Sequence, residues 1–250
     1  MIVDLVSDLH DDKFTSKLEW WNNSDRASIL IVAGDVTDSK KDTCDYLKKL
    51  CNFYDTILFV DGNHDHAERY PGFYASSEWE DDLPPKVIHL PSHEDFIIDG
   101  VGFVGCCGWW NYEGDIHGEN ATIIDQYFSI HFPKLSLDTS TAREFAFNVI
   151  QRGDSEVSEL RRKIAKMHDN EDVHTIVVVT HTPPIPDNRD TELATYMHTD
   201  MEVVKQQSDK IKLWLFGHIH EKVDKVKYEI RFVAHPRGTE IAYSARRLFF

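Results

Sequence analysis

Hydrophobic and polar positions along the chain fall into one repeated unit. A run of about four to six Val, Ile, Leu or Phe residues is followed at once by a short cluster rich in Asp, Asn, His and Gly. The unit occurs in Met1–His10 (MIVDLVSDLH), Ile29–Asp38 (ILIVAGDVTD), Thr56–Asp65 (TILFVDGNHD), Thr175–Pro184 (TIVVVTHTPP) and Lys212–His220 (KLWLFGHIH). Short apolar runs without alternation predict strands buried on both faces. Each polar cluster then lies at a strand's carboxyl end, the edge at which α/β sheets bind ligands.

Between these runs the period changes. Asp38–Phe53 carries Tyr46, Leu47, Leu50 and Phe53 as an apolar stripe, with Asp38 or Ser39 placed to cap, and predicts a helix. The first 65 residues therefore read β-α-β-α-β. Further on, Phe96–Ile98, Gly102–Val104, Lys222–Val226, Ile230–Ala234 and Ile241–Tyr243 predict antiparallel strands joined by tight turns such as Asp99-Gly100. An amphipathic helix is predicted near Val157–Met167, with Arg161-Arg162-Lys163 as its solvated face. With no internal repeat and no low-complexity linker, the expectation is one α/β domain over residues 1–250, two packed sheets flanked by helices.

Composition narrows the class. A chain of 250 residues, 41% hydrophobic and 12% aromatic, should bury about 70–75% of its unfolded surface, which excludes a disordered protein. No uncharged apolar run approaches the roughly 18–20 residues that span a bilayer. Asp4 and Asp8 stand where a signal peptide needs a basic start. A cytoplasmic protein without a membrane partner is expected. The 43 acidic against 27 basic residues give a net charge of −16, which opposes binding along a nucleic-acid backbone. A phosphate group as substrate stays open, because bound divalent ions reverse the local field. Cys44, Cys51, Cys106 and Cys107 form no CxxC pair and are expected as reduced, packed thiols.

The strand ends collect Asp8, His10, Asp35, Asn63, His64, His181, His218 and His220. Oxygen donors mixed with imidazoles suit manganese, iron, zinc or another first-row ion better than calcium. In Asp8-Leu9-His10 and His218-Ile219-His220, residues i and i+2 of an extended chain point to the same side and reach one cluster. Gly34, Gly62 and Gly217 precede three of the donors, where an absent Cβ eases a sharp turn.

The order of blocks, Asp8-Leu9-His10, Gly34-Asp35-Val36-Thr37-Asp38, Gly62-Asn63-His64-Asp65, His181-Thr182-Pro183-Pro184 and Gly217-His218-Ile219-His220, resembles the calcineurin-like metallophosphoesterase superfamily. Pro236-Arg237-Gly238 is similar to a turn that many members carry after the last block. The resemblance implies a four-layer αββα sandwich of two mixed sheets. It implies two divalent ions, manganese first, with iron, zinc, nickel or cobalt as alternatives. Asp8, His10 and His220 would hold one ion, Asn63, His181 and His218 the other, and Asp35 would bridge them. A metal-bridging hydroxide would attack a phosphate ester, with His64 as general acid and Asp38 orienting its ring.

Protein phosphatases of this kind read GDxxDRG and GNHE, whereas this chain has Ser39 after Asp38 and reads GNHD. These departures resemble the phosphodiesterase and nucleotidase branches. The leading expectation is therefore a phosphodiesterase acting on a small, nucleotide-like substrate. A phosphomonoesterase or protein phosphatase, a nuclease of the same chemistry, and a non-catalytic scaffold are the alternatives. Specificity is expected in an insert around 106–170. There Trp109 and Trp110, beside Asn111, would form either a stacking wall for a flat group or packing at the sheet edge. Arg189 and Arg237 are candidates for contact with substrate phosphate.

Overall fold

All five apolar runs pair in parallel, three in one sheet and two in the other. In the computed structural model, which describes residues 1–14, 25–94, 96–112, 139–184, 197–198, 200–238 and 243–250, strands β1 (Ile2–Val6), β2 (Ile29–Ala33), β3 (Thr56–Val60) and β4 (Val87–His89) lie side by side in that order. Strand β11 (Arg246–Phe249) closes this sheet antiparallel to β1. The second sheet runs β5 (Phe96–Ile98), β6 (Val101–Cys106), β7 (Thr175–Thr180), β8 (Ile211–Phe216), β10 (Ile230–Ala234), β9 (Val223–Lys227). Its four inner strands are parallel, and β5 and β9 are antiparallel edges.

The sheets stack through Val3, Leu5, Ile31, Leu58 and Val60 of one and Phe103, Val177, Val179, Leu215 and Val233 of the other, all fully buried or nearly so. Each such side chain taken from water contributes about 1.5–3 kcal/mol. Outside the first sheet lie α1 (Lys40–Leu50) and α2 (Ser76–Asp82), whose Tyr46, Leu47, Leu50 and Trp79 cover Leu30, Val32 and Phe59. Outside the second lie α3 (Thr139–Asp169) and the short α4 (Met201–Lys205), whose Val157, Leu160, Ile164, Met167 and Val204 cover Val178, Trp214 and Phe232. The result is the four-layer αββα sandwich of two mixed sheets. Among the described residues, no helix is long and apolar enough to cross a membrane.

Several local expectations change. Ser39, not Asp38, caps α1, its side chain accepting from Asp42 N at 3.4 Å. The pairs 96–98 with 101–103 and 223–227 with 230–234 are antiparallel hairpins, but β6 and β10 also pair in parallel with β7 and β8. Both hairpin turns put their central residues at positive φ, Asp99 and Gly100 in one, Tyr228 and Glu229 in the other, as a two-residue type I′ turn requires. Of the strand expected at 241–243, residues 241–242 lie outside the described set and Tyr243 belongs to no strand; β11 begins at Arg246. Arg161 and Arg162 are exposed as expected, yet Lys163 is buried, its ammonium donating to Leu90 O at 3.1 Å and Pro91 O at 2.7 Å. A helix clamped over a sheet leaves a face too narrow for three consecutive residues to point to water.

Candidate metal centre

Five strand ends converge. The loop after β1 is laced to the loop after β2 by Asp8 N to Gly34 O at 3.0 Å and His10 N to Asp35 O at 3.1 Å. Asp35 Oδ1 then accepts from His64 N at 2.8 Å, and Asp8 Oδ1 from His218 N at 2.8 Å. The donor side chains are thus fixed by main-chain bonds of other donor residues. Asp8, His10, Asp35, His218 and His220 all have positive φ, between 41° and 68°. Non-glycine residues held in the left-handed region cluster at functional sites, where surrounding structure over-determines them.

The side chains form three overlapping groups able to hold a cation: Asp8, His10 and His220; His10, Asp35 and His64; Asp35, His181 and His218. In the third, Asn63 Oδ1 is 2.9 Å from His181 Nε2 and 3.0 Å from His218 Nδ1, while Asp35 Oδ2 is 3.3 Å from His181 Nε2. In the first, His10 Nε2 and His220 Nε2 are 3.1 Å apart. Donors about 2.0–2.2 Å from one ion stand about 3–3.5 Å from each other, so these separations match a shared cation. His181 Nδ1–H donates to Ala33 O at 2.9 Å, which fixes the tautomer and leaves Nε2 for a ligand.

Two further observations fit metal ions. Asp8 Oδ2 and His10 Nδ1 are buried with no hydrogen-bond partner among the described residues, a cost of about 1–3 kcal/mol each unless another group meets them. The glycines leave room that a side chain would fill. A Cβ on Gly62 would lie 2.2 Å from Asp35 Oδ1, and one on Gly34, whose φ is +81°, would lie 2.4 Å from His181 Nδ1. Gly34 turns the chain at positive φ as expected; Gly62 instead makes space for a carboxylate.

Electrostatics follow from burial and neighbours. Burial opposes the charge on Asp35, but His181 and His64 outweigh it and hold the carboxyl well below the usual range. Burial likewise opposes a charged His181, yet the Asp35 and Asp8 carboxylates lift it to about 10. His10 and His218 are pushed well down by burial. His64 is raised, because Asp35 and the Asp38 hydrogen bond outweigh its burial.

These directions give a pH dependence. A metal ligand must be deprotonated, and a histidine lifted to about 10 carries its proton at neutral pH. Loading the Asn63–His181–His218 group at pH 7.5 is expected to expel a proton from His181. Affinity should strengthen with rising pH, by about tenfold per unit, until it flattens near the His181 value. Calorimetric titration of the metal-free protein with Mn²⁺ in two buffers of different ionisation enthalpy reads this release; equal heats in both would contradict it.

His64 Nδ1–H donates to Asp38 Oδ1 at 2.7 Å, and the ring meets His10 edge-on with centroids 4.8 Å apart. Sequence reasoning missed the role of Asp65. Its buried carboxylate accepts from Asp35 N, Gly62 N, Val36 N and Thr43 Oγ1 at 2.8–3.0 Å, stitching the two loops that carry Asp35, Asn63 and His64. It also missed Asp61, whose buried carboxylate accepts from His66 Nε2–H at 2.6 Å and His89 Nε2–H at 2.7 Å. A strand followed by Asp-Gly-Asn-His-Asp contains the signal, but not which acid serves a loop and which a ligand.

Of the four residues named for substrate contact, the three described ones are buried. Trp109 and Trp110 are fully buried, packed with Phe73, Tyr112 and Phe145, so they line no open stacking wall. Trp110 instead lies against the His218 ring, centroids 5.6 Å apart. Arg237 is also buried. Its guanidinium donates to Leu9 O at 3.3 Å, lies 3.5 Å from Asp11 and packs 3.7 Å over the Phe14 ring, bracing the loop that carries Asp8 and His10. Arg189 lies outside the described residues.

Residues 1–222 match the model of the calcineurin-like phosphoesterases. An uncharacterized protein of Acanthamoeba polyphaga mimivirus, L509, is 23% identical over 251 residues, covering 88% of this chain and 84% of that protein. The crystal structure of phosphopantetheinyl hydrolase from Mycobacterium tuberculosis superposes with a TM-score of 0.71 at 18% identity, over 99% of this chain and 95% of that one. A dimetal phosphatase from Danio rerio does so with a TM-score of 0.51 at 13% identity, over 93% and 86%. The likeness to the two solved structures is one of fold, whereas the family match takes in every donor from Asp8 to His220, and by it this chain belongs to the calcineurin-like phosphoesterases, metal-dependent hydrolases of phosphate esters.

Proposed function

We propose that the protein hydrolyses a small phosphodiester. Asp8, His10 and His220 would hold one divalent ion and Asn63, His181 and His218 a second, with Asp35, which groups with His10 on one side and with His181 and His218 on the other, as the ligand common to both. Manganese suits this mixture of carboxylate, amide and imidazole donors. Ions held there would supply Lewis-acid polarisation of the phosphoryl oxygens and a more acidic water. His64 supplies the proton to the departing oxygen. Its Nδ1–H is engaged by Asp38, so the Nε2 edge faces the leaving group.

The observation that carries this reading is the pair of bonds on His64: its backbone N–H on Asp35 Oδ1 at 2.8 Å and its ring on Asp38 at 2.7 Å. The acid and the shared ligand are thereby held at fixed distance, which is what proton transfer to a group bound between the ions needs. A diester is favoured over a monoester because a dianionic terminal phosphate is best gripped by an arginine fork. Among the described residues, Ser39 stands in the arginine position of the protein phosphatases as a helix cap, and Arg237 is buried against Leu9 O. The −16 charge supports a small substrate rather than a polyanion. Burial of both tryptophans withdraws the stacking argument for a nucleobase; nucleotides therefore enter as a test panel.

With manganese supplied, bis(4-nitrophenyl) phosphate is expected to be cleaved with a higher kcat/KM than 4-nitrophenyl phosphate. The reverse preference would assign a monoesterase. No turnover of either, with two ions bound per chain, would leave a non-catalytic scaffold.

A further inference from the structure

Lys13 ends the short 3-10 turn Asp11–Lys13 that follows His10. The turn is anchored from below: Asp11 N donates to Val36 O at 3.0 Å, and Arg237 lies against Asp11 and the Phe14 ring. From this base the Lys13 ammonium reaches 3.3 Å from Asp38 Oδ1 and 3.3 Å from His64 Nδ1, with its side chain 43% exposed. Because His64 Nδ1–H is already given to Asp38 at 2.7 Å, the approach of Lys13 to the ring is that of a cation beside an occupied nitrogen. Lys13 carries three donors, and Asp38 takes one. The protein therefore sets a half-exposed cation, on a flexible four-carbon stem, against the residue that faces the leaving group.

Among the described residues, Lys40 and Arg237 are committed elsewhere. Lys40 pairs with Asp82 at 2.5 Å and lies over Tyr74 and Trp79, and Arg237 is buried. We infer that Lys13 binds an anionic group on the leaving alcohol, so that the preferred substrate is a phosphodiester whose departing arm carries its own carboxylate or phosphate. This rests on the phosphodiesterase reading above and narrows it. The geometry favours the departing arm over the scissile phosphoryl group. Lys13 lies at the Nδ1 edge of His64, across the ring from the Nε2 edge to which the proposed function assigns the breaking bond. An alcohol leaving past His64 carries its substituents outward, into reach of the ammonium. A cation at this rim also gives an acidic protein a local point of attraction for an anionic substrate.

The test compares two probes differing in charge on the departing arm alone, methyl 4-carboxyphenyl phosphate and the methyl ester of its carboxylate. Lys13→Ala is expected to lower kcat/KM on the carboxylate probe about fivefold to tenfold more than on the ester, the worth of one half-exposed charge-assisted contact. Lys13→Arg should restore most of the difference, and the wild-type preference for the carboxylate probe should fade with added salt. If Lys13 only braces Asp38 and His64, Lys13→Ala lowers both probes by the same factor and shifts the pH profile alike on each; that result overturns the inference while the phosphodiesterase reading stands. Wild-type protein that cleaves neither probe, with manganese bound, takes down both.

Discussion

Replacing His64 by glutamine lowers turnover of an alkyl phosphodiester by about 10²–10⁴-fold, the range that a positioned general acid contributes, while both ions stay bound. Metal retention is expected because the bond from His64 to Asp35 is made by the backbone N–H, which glutamine keeps. The loss should depend on the leaving group. An alkoxide needs the proton, whereas 4-nitrophenolate departs with little help, so the variant should approach wild type on the nitrophenyl ester. Asp35 and Asp38 raise His64 above the ordinary imidazole value despite its burial. The protonated, active form therefore persists at low pH and is lost as pH rises through the raised value, and this alkaline limb should vanish in the variant. Kinetics on the two ester classes with elemental analysis decide the matter; equal losses on both would remove His64 from the role of acid.

Asp35→Asn is expected to remove at least one of the two ions. The Asp35 carboxylate belongs to two of the three donor groups, lying 3.3 Å from His181 Nε2 and 3.8 Å from His10 Nε2. Its replacement loses one negative charge and one donor oxygen at the point both groups share. Removing even an outer partner of a metal ligand costs about 10–100-fold in affinity, and loss of a shared ligand should exceed that. A second consequence is readable without metal. His181 is lifted to about 10 by Asp35 first and Asp8 second, so in the amide variant its imidazole should titrate at a lower pH, visible by NMR of the metal-free protein. Two ions per chain in Asp35→Asn, at unchanged affinity, would remove Asp35 from the shared position.

The legible part of this protein is the part made of neighbours in sequence. Asp8 and His10, or His218 and His220, follow directly on a strand, so the donor clusters could be read from local pattern, but their backbone could not: all four residues are left-handed, beyond the strand ends at Val6 and Phe216, and not the extended i, i+2 pairs expected. What sequence reading left open is decided by distant packing. For Trp109 and Trp110 it offered both a stacking wall and packing at the sheet edge, and Phe145 of α3 and Phe73 close over them in favour of packing. Arg237 looks like a phosphate ligand until Leu9 O and Phe14, over 200 residues away, enclose it. Strand β4 has only three residues, too few to show a period. Lys13 and Asp38 meet across 25 residues through no motif, and only the fold reveals that they share one carboxylate oxygen with His64.

The left-handed backbone at Asp8, His10, Asp35, His218 and His220 also bears on how durable the molecule is. Such conformations cost about 1–3 kcal/mol each, and together they rival the whole stability of an ordinary domain, about 5–15 kcal/mol. The end of the sandwich that carries these donors is thus expected to be its weak point without bound ions, and metal binding should raise the melting temperature. Selection for heat resistance alone would favour glycine at these five positions, leaving a tougher chain that does no chemistry.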